Sequence, residues 1–204
     1  MKAGLFILMG YLSGSILYAR VFAAIFGKKG IIENSKDKNP GTANAFMYGG
    51  FACGSMTLIF DLLKGFLPVF FYLHDADIRM LNSVWTALVL AAPVLGHAFP
   101  AFYKMHGGKG IAVTFGCLLG LVPVWKPVGI LILFFVFFSC VVRINPHFYR
   151  TLVVYACSMA SMAFCVEQKM IFGGFVMITA IVCSRMLIST EEKERVKVRL
   201  LWMR

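Results

Sequence analysis

Long apolar runs separated by short polar breaks make up the pattern of this chain. The first run covers about residues 3–26 and is interrupted by Gly10, Ser13, Gly14 and Ser15, small residues that permit close helix contact; Arg20 near its far end can snorkel. A polar segment, 27–45, follows with Lys28, Lys29, Glu33, Lys36, Asp37 and Lys38, and it closes on the turn signal Asn39-Pro40-Gly41-Thr42-Ala43-Asn44. The second run, about 46–73, contains Asp61 and Lys64, three apart and so on one helix face, where they can pair. A charge inside the membrane marks function unless the pair is purely structural. After a polar link, 74–83, the third run covers about 84–102. The next, 111–142, is interrupted by Pro123, Trp125, Lys126 and Pro127. Its first half has about 14 residues against a usual minimum of ~17, so two short tilted spans, a re-entrant pair and one bent helix all fit. A polar break at 143–150 precedes the last two runs, 152–166 and 170–188. The tail, 189–204, is charged with interspersed apolar residues, and suits an interfacial helix or, more simply, a solvated end.

This pattern predicts an all-α, polytopic integral membrane protein with about seven transmembrane helices (five to seven). It forms a single domain over 1–204, with 189–204 as a charged cytoplasmic tail. Composition agrees: of 204 residues 60% are hydrophobic, where soluble domains average roughly 45–50%. The formal charge of +11 does not point to nucleic acid, because the basic residues sit in the breaks, where they set topology. With seven spans, the breaks at 27–45, 103–110, 143–150 and 185–204 share one side and hold 14 Lys and Arg; the other side holds four, Lys2, Arg79, Lys126 and Lys169. The positive-inside rule then puts the N-terminus outside and the C-terminus in the cytoplasm. The first run is expected to stay as a span rather than leave as a signal peptide. Six cysteines lie mostly in apolar runs without a Cys-x-x-Cys pair, and read as small buried hydrophobes. The four histidines form no cluster, and no metal site is expected.

The chemistry concentrates in Gly96-His97-Ala98-Phe99-Pro100-Ala101-Phe102-Tyr103-Lys104-Met105-His106-Gly107-Gly108-Lys109-Gly110. Glycines let backbone N–H groups approach a ligand, and lysines add charge for a phosphate or carboxylate. On this stretch alone, phosphate binding and a flexible loop facing anionic headgroups weigh equally. Topology adds that this turn and the Asn39–Asn44 loop lie on one face. His106 reads as a headgroup-level residue, and His74 and His147 as loop residues without a chemical role.

Gly14-Ser15, Asn39-x-Gly41-x-x-Asn44, Asp61-Leu62-Leu63-Lys64-Gly65 and Gly96-His97-x-Phe99-Pro100 with Gly107-Gly108-Lys109-Gly110 come in an order that resembles the bacterial acyl-phosphate:glycerol-3-phosphate acyltransferases (the PlsY type). The similarity covers roughly residues 6–145, and Arg143 looks like an arginine of that family. The resemblance implies a cytoplasmic-membrane enzyme of phospholipid synthesis with its site on the cytoplasmic side. It would move a fatty acyl group from acyl phosphate to the 1-hydroxyl of glycerol 3-phosphate, giving lysophosphatidic acid, with neither acyl-CoA nor a metal or other cofactor. It also implies roles: His97, Ser15 and Lys104 catalytic; Asn39, Gly41, Asn44, Lys64, Gly107, Gly108, Lys109 and Arg143 holding substrate and its phosphate; Asp61 as structural support, its pair with Lys64 bracing the site or adding positive charge. His97 would orient or donate to an oxygen, with the substrate's own phosphate favoured over it as the base.

Two departures set this chain apart from the family pattern. Glu33 and Asp37 stand where the family has arginine and serine, placing negative charge near an expected phosphate. The family's closing His-x-x-Asn-Ile-x-Arg motif has no counterpart in 184–193. A catalytically weakened relative that binds lipid or a lipid-synthesis partner, and a small-anion transporter, are therefore the competing readings; the second lacks the inverted repeat that transport folds show.

Overall fold

The computed structural model describes residues 2–28, 30, 35, 37–75, 83–189 and 195–201. Its helices are α1 (Lys2–Gly14), α2 (Tyr18–Ile25), α3 (Thr42–Gly49), α4 (Phe51–His74), α5 (Val84–Ala98), α6 (Ile111–Leu119), α7 (Lys126–Val136), α8 (His147–Cys165) and α9 (Lys169–Ile188). A 3-10 turn (Ala101–Tyr103) follows α5, and a π turn (Phe137–Val141) extends α7. Two short strands, β1 (Val142–Asn145) and β2 (Lys197–Leu200), pair antiparallel.

Among the described residues four helices are long and apolar enough to cross a membrane, namely α4, α5 with its following turn, α8 and α9; α1 and α2 make a fifth if they are one span bent by 44°. Helix length thus supports the lower end of the expected range. The shortfall lies where the prolines interrupt the 111–142 run. The 9 residues of α6 rise about 14 Å, under half of a hydrocarbon core of about 30 Å. The outward surface is apolar, with Phe51 83% and Phe164 90% exposed, as a lipid-facing exterior requires.

Helix α5 is the central element, packed between α1 and α9, with Val89, Leu90, Val94 and Ala98 fully buried. Its contact with α1 is backbone to backbone. A Cβ on Gly14 would strike the Pro93 carbonyl, and one on Gly96 the Tyr11 carbonyl. The small residues of the first run therefore serve close helix contact, as expected. Helix α6 meets α4 the same way, Gly116 against the Leu62 carbonyl.

The breaks gather by charge as the sequence predicts. Asp37 and Lys109 pair at 2.9 Å, Arg185 reaches the Gly107 carbonyl, and β1 joins β2, so four of the basic breaks share one end. Ion pairs Lys2–Asp75 at 3.7 Å and Lys126–Glu167 at 3.2 Å join the remaining breaks two by two. The tail departs from expectation, since Lys197–Leu200 is a strand and neither a helix nor a free end. Its alternation Val196-Lys197-Val198-Arg199-Leu200 matches that of Val142-Arg143-Ile144-Asn145, with Arg143 opposite Arg199. Arg79, Glu33, Lys36, Trp202 and residues 190–194 lie outside the described residues.

Candidate active site

At the basic end a cavity of about 760 Å³ opens between the first loop, α3, α4, α6 and the start of α8. Its polar wall includes Asp37, Asn39, Gly41, Thr42, Asn44, Asp61, His97, Lys109 and His147; its apolar wall includes Phe46, Met47, Leu58, Ile111 and Phe115. The first-loop asparagines and the glycine-lysine turn are thus brought together, with the Asn39 amide oxygen 3.2 Å from where a Gly108 Cβ would stand.

Local sequence explains each position. Pro40 and Gly41 stop the loop and start α3 at Thr42, which turns Asn44 inward to 5% exposure. Its Nδ2 donates to Asp37 Oδ1 at 2.8 Å and to the Asn39 carbonyl at 2.8 Å. Lys109 Nζ meets Asp37 Oδ2 at 2.9 Å, and the Asn39 N–H donates to Asp37 Oδ1 at 3.2 Å. Burial alone would raise the Asp37 pKa. The hydrogen bonds from Asn44 and Lys109, the lysine's charge and the Asn39 amide outweigh burial and hold it below the usual carboxylate value.

Behind this layer Asp61, Lys64 and His97 form a network on α4 and α5, at 1%, 4% and 3% exposure. Lys64 Nζ lies 2.7 Å from Asp61 Oδ1, donates to the Ile16 carbonyl at 2.7 Å, and stands 2.9 Å from His97 Nδ1. The Asp61 approach is an ion pair off the hydrogen-bonding line, since Oδ1 accepts no hydrogen bond among the described residues; Oδ2 takes the Thr42 hydroxyl at 3.4 Å. An ammonium donates and cannot accept, so His97 Nδ1 must be the acceptor. The ring proton of the neutral imidazole then sits on Nε2, which faces Gly108. His97 is in this way fixed as a donor at the cavity wall, with neither nitrogen free to take a proton. Only glycine fits at 108, because a Cβ there would strike His97 Nε2.

Of the predicted residues, Ser15, Lys64, Lys104, Gly107, Gly108 and Arg143 are not among those that line the cavity. Ser15 is fully buried; its hydroxyl donates to the Tyr11 carbonyl at 2.8 Å and accepts the Ala101 N–H at 3.2 Å, which braces the turn after α5. Lys104 is exposed, in a left-handed conformation, with its carbonyl held by His106 Nδ1 at 2.6 Å. Arg143 is exposed on β1, grouped with Arg195, Lys197 and Arg199 beside the cavity. The turn's amides are partly committed as well, since Gly108 N–H donates to the His97 carbonyl at 3.0 Å. Lys64 stands behind the wall, against His97 Nδ1.

Two residues were not anticipated. His147, read as a loop residue without a role, lines the cavity at the start of α8, its Nδ1 accepting from Arg150 at 2.9 Å. Arg185 on α9 donates to the Gly107 carbonyl through Nε at 3.2 Å and Nη2 at 2.7 Å, fixing the glycine turn. The one sequence signal for it was a lone arginine one turn from the end of the last apolar run.

Fold and cavity together define a multi-pass membrane protein whose pocket suits an amphiphile, with a polar end, where Lys109 meets Asp37, continuous with an apolar groove. Comparison with known proteins sharpens the class. The family model described as glycerol-3-phosphate acyltransferase matches residues 4–197, and the chain belongs to that family. A glycerol-3-phosphate acyltransferase of Legionella pneumophila (strain Corby) is 42% identical over 113 residues, covering 55% of this chain and 39% of that one. One from Paraburkholderia xenovorans (strain LB400) is 34% identical over 119 residues, 57% and 54% of the two chains. One from Actinobacillus pleuropneumoniae serotype 5b (strain L20) is 38% identical over 121 residues, 57% of each. The matched segment thus spans from two-fifths to just over half the length of these curated relatives. The crystal structure of PlsY (YgiH), an integral membrane glycerol 3-phosphate acyltransferase, matches the fold in its glycerol 3-phosphate form. The TM-score is 0.76 at 22% identity, over 91% of this chain and 88% of that one. Its lysophosphatidic acid form gives 0.75.

Proposed function

We propose that this chain transfers a fatty acyl group from acyl phosphate to the 1-hydroxyl of glycerol 3-phosphate, releasing inorganic phosphate and lysophosphatidic acid. The observation that carries this reading is the joining, in one cavity, of Lys109, Asn44, Asn39 and His97 to an apolar wall of Phe46, Met47, Ile111 and Phe115. A phosphate headgroup fits the first set and an acyl chain the second.

The acceptor oxygen attacks the acyl carbonyl, a C–O ester bond forms, and the bond from that carbon to the phosphate oxygen breaks. A mixed anhydride has a good leaving group, so placement and charge stabilisation dominate. His97 Nε2–H supplies a fixed donor for the developing oxyanion or the leaving phosphate. It cannot serve as the base while Lys64 holds Nδ1, so the hydroxyl proton passes to a phosphate oxygen. Gly107 and Gly108 let the turn close over His97. Gly41 begins the helix that carries Asn44. Lys104 and Arg143, exposed at the same end, add to the field that draws anions in. The excess of Lys and Arg at this end supports a cytoplasmic position for the site, with the N-terminus outside, in a protein of the bacterial cell membrane.

The test is acyl transfer by the purified full chain with acyl phosphate and glycerol 3-phosphate, beside His97→Ala and Lys109→Ala. Turnover lowered by both changes supports the reading, with the loss of the His97 donor expected to cost roughly 10²–10³ in kcat. No turnover by the intact chain, or full turnover without His97, overturns it.

A further inference from the structure

The polar end of the cavity is laid out as an anion receptor, and the chain supplies an anion of its own. Among the described residues a cation, a side-chain amide and a backbone amide converge on the two Asp37 oxygens: Lys109 Nζ at 2.9 Å, Asn44 Nδ2 at 2.8 Å and the Asn39 N–H at 3.2 Å. The Lys109 and Asp37 side chains are only 8% and 16% exposed, so water screens the arrangement weakly. Such a set of charged and neutral donors is what a phosphate oxygen would use. All four residues line the cavity, so a phosphate entering there must displace the Asp37 carboxylate or lie against it. Among the described residues the other carboxylate in the wall is Asp61, already matched by Lys64 at 2.7 Å.

We infer that Asp37 is a specificity-setting residue: an internal anion in the phosphate seat that weakens phosphate-bearing ligands relative to uncharged polyols of similar shape. Naming glycerol 3-phosphate as the disfavoured acceptor rests on the proposed acyl transfer; the effect on phosphate binding does not. A dianion beside a fixed carboxylate is repelled, and removal of that carboxylate relieves the repulsion. Lys109, Asn44 and the Asn39 amide then face the incoming phosphate without a competing carboxylate from Asp37.

The experiment compares the intact chain with Asp37→Asn and Asp37→Ser in lipid nanodiscs. It measures binding of inorganic phosphate and of glycerol 3-phosphate, and kcat/KM for glycerol 3-phosphate against glycerol with acyl phosphate as donor. Asp37→Asn keeps the side chain's shape and one acceptor oxygen, while Asp37→Ser removes charge and reach together. Both are expected to tighten inorganic phosphate and glycerol 3-phosphate by about tenfold or more at low ionic strength, with little change for glycerol. Weaker phosphate binding in both variants, with thermal unfolding unchanged, would make Asp37 an organiser of Lys109 and overturn the inference. Acyl transfer with an unchanged ratio between the two acceptors would overturn it too, while leaving the proposed activity standing. Tighter phosphate binding without acyl transfer to either acceptor supports the inference and removes the proposed activity.

Discussion

Replacing Lys64 by methionine separates the two tasks that this lysine performs. It is 4% exposed, pairs with Asp61 at 2.7 Å and stands 2.9 Å from His97 Nδ1. Loss of the ammonium leaves a carboxylate that is 1% exposed, with the Thr42 hydroxyl at 3.4 Å as its hydrogen-bond donor. Breaking a buried pair from one side costs roughly 3–5 kcal/mol, most of it the desolvated charge left behind. The double change Asp61→Asn with Lys64→Met removes that charge and is expected to regain most of the loss in a denaturation experiment in detergent. Activity follows a different rule. In both variants His97 Nδ1 has lost its donor, so the imidazole proton is no longer confined to Nε2 and the cavity's donor is present only part of the time. Initial rates of acyl transfer are expected to fall roughly 10²–10³ in the single variant and to stay low in the double one. A double variant that recovers stability and wild-type kcat together would refute the tautomer assignment, and with it the role given to Lys64.

Three further outcomes follow from the same geometry. Gly108→Ala places a methyl group against His97 Nε2; kcat should drop at least about tenfold, since small misplacements at a reacting centre are costly, and kcat within twofold of wild type would contradict the packing. Arg185→Ala removes two charged hydrogen bonds to the Gly107 carbonyl, worth roughly 1.5–3 kcal/mol. The loss should appear as a lower unfolding midpoint and a raised KM for phosphate-bearing substrate, while an unchanged KM would detach this arginine from the turn. Asp37 has a pKa held below the ordinary 3.8, so its contact with Lys109 contributes stability in full above that value and loses it as pH falls through the depressed one. The carboxyl band lost in Asp37→Asn should therefore titrate below pH 3.8, and titration above it would show that the Lys109 contact does not form.

Hydropathy and charge made the path of the chain legible, because both are local properties that act through a planar medium. Lysines and arginines placed residues 27–45, 103–110, 143–150 and 185–204 at one end without any knowledge of packing, and the Asp37–Lys109, Arg185–Gly107 and β1–β2 contacts join them there. The same reasoning stopped at the 111–142 run, where prolines mark a break but not how much helix survives beside it. It missed the β ribbon because each alternating stretch is four residues long and gains its partner only from a segment more than fifty positions away.

The site divides along the same line. The family resemblance grouped Asn39, Asn44, His97 and Lys109, yet it placed Ser15 with them, whose hydroxyl is spent on the Tyr11 carbonyl and the Ala101 amide. A membrane serine always has a backbone carbonyl one turn away, so sequence alone cannot tell a bracing hydroxyl from a reacting one; that needs the second partner, 86 positions along the chain. Asp37 makes the converse case. In the sequence it is a negative charge where a phosphate is expected, a local conflict between composition and function. In three dimensions it is the group that Lys109, Asn44 and Asn39 hold, so the conflict becomes a competition between two anions for one set of donors.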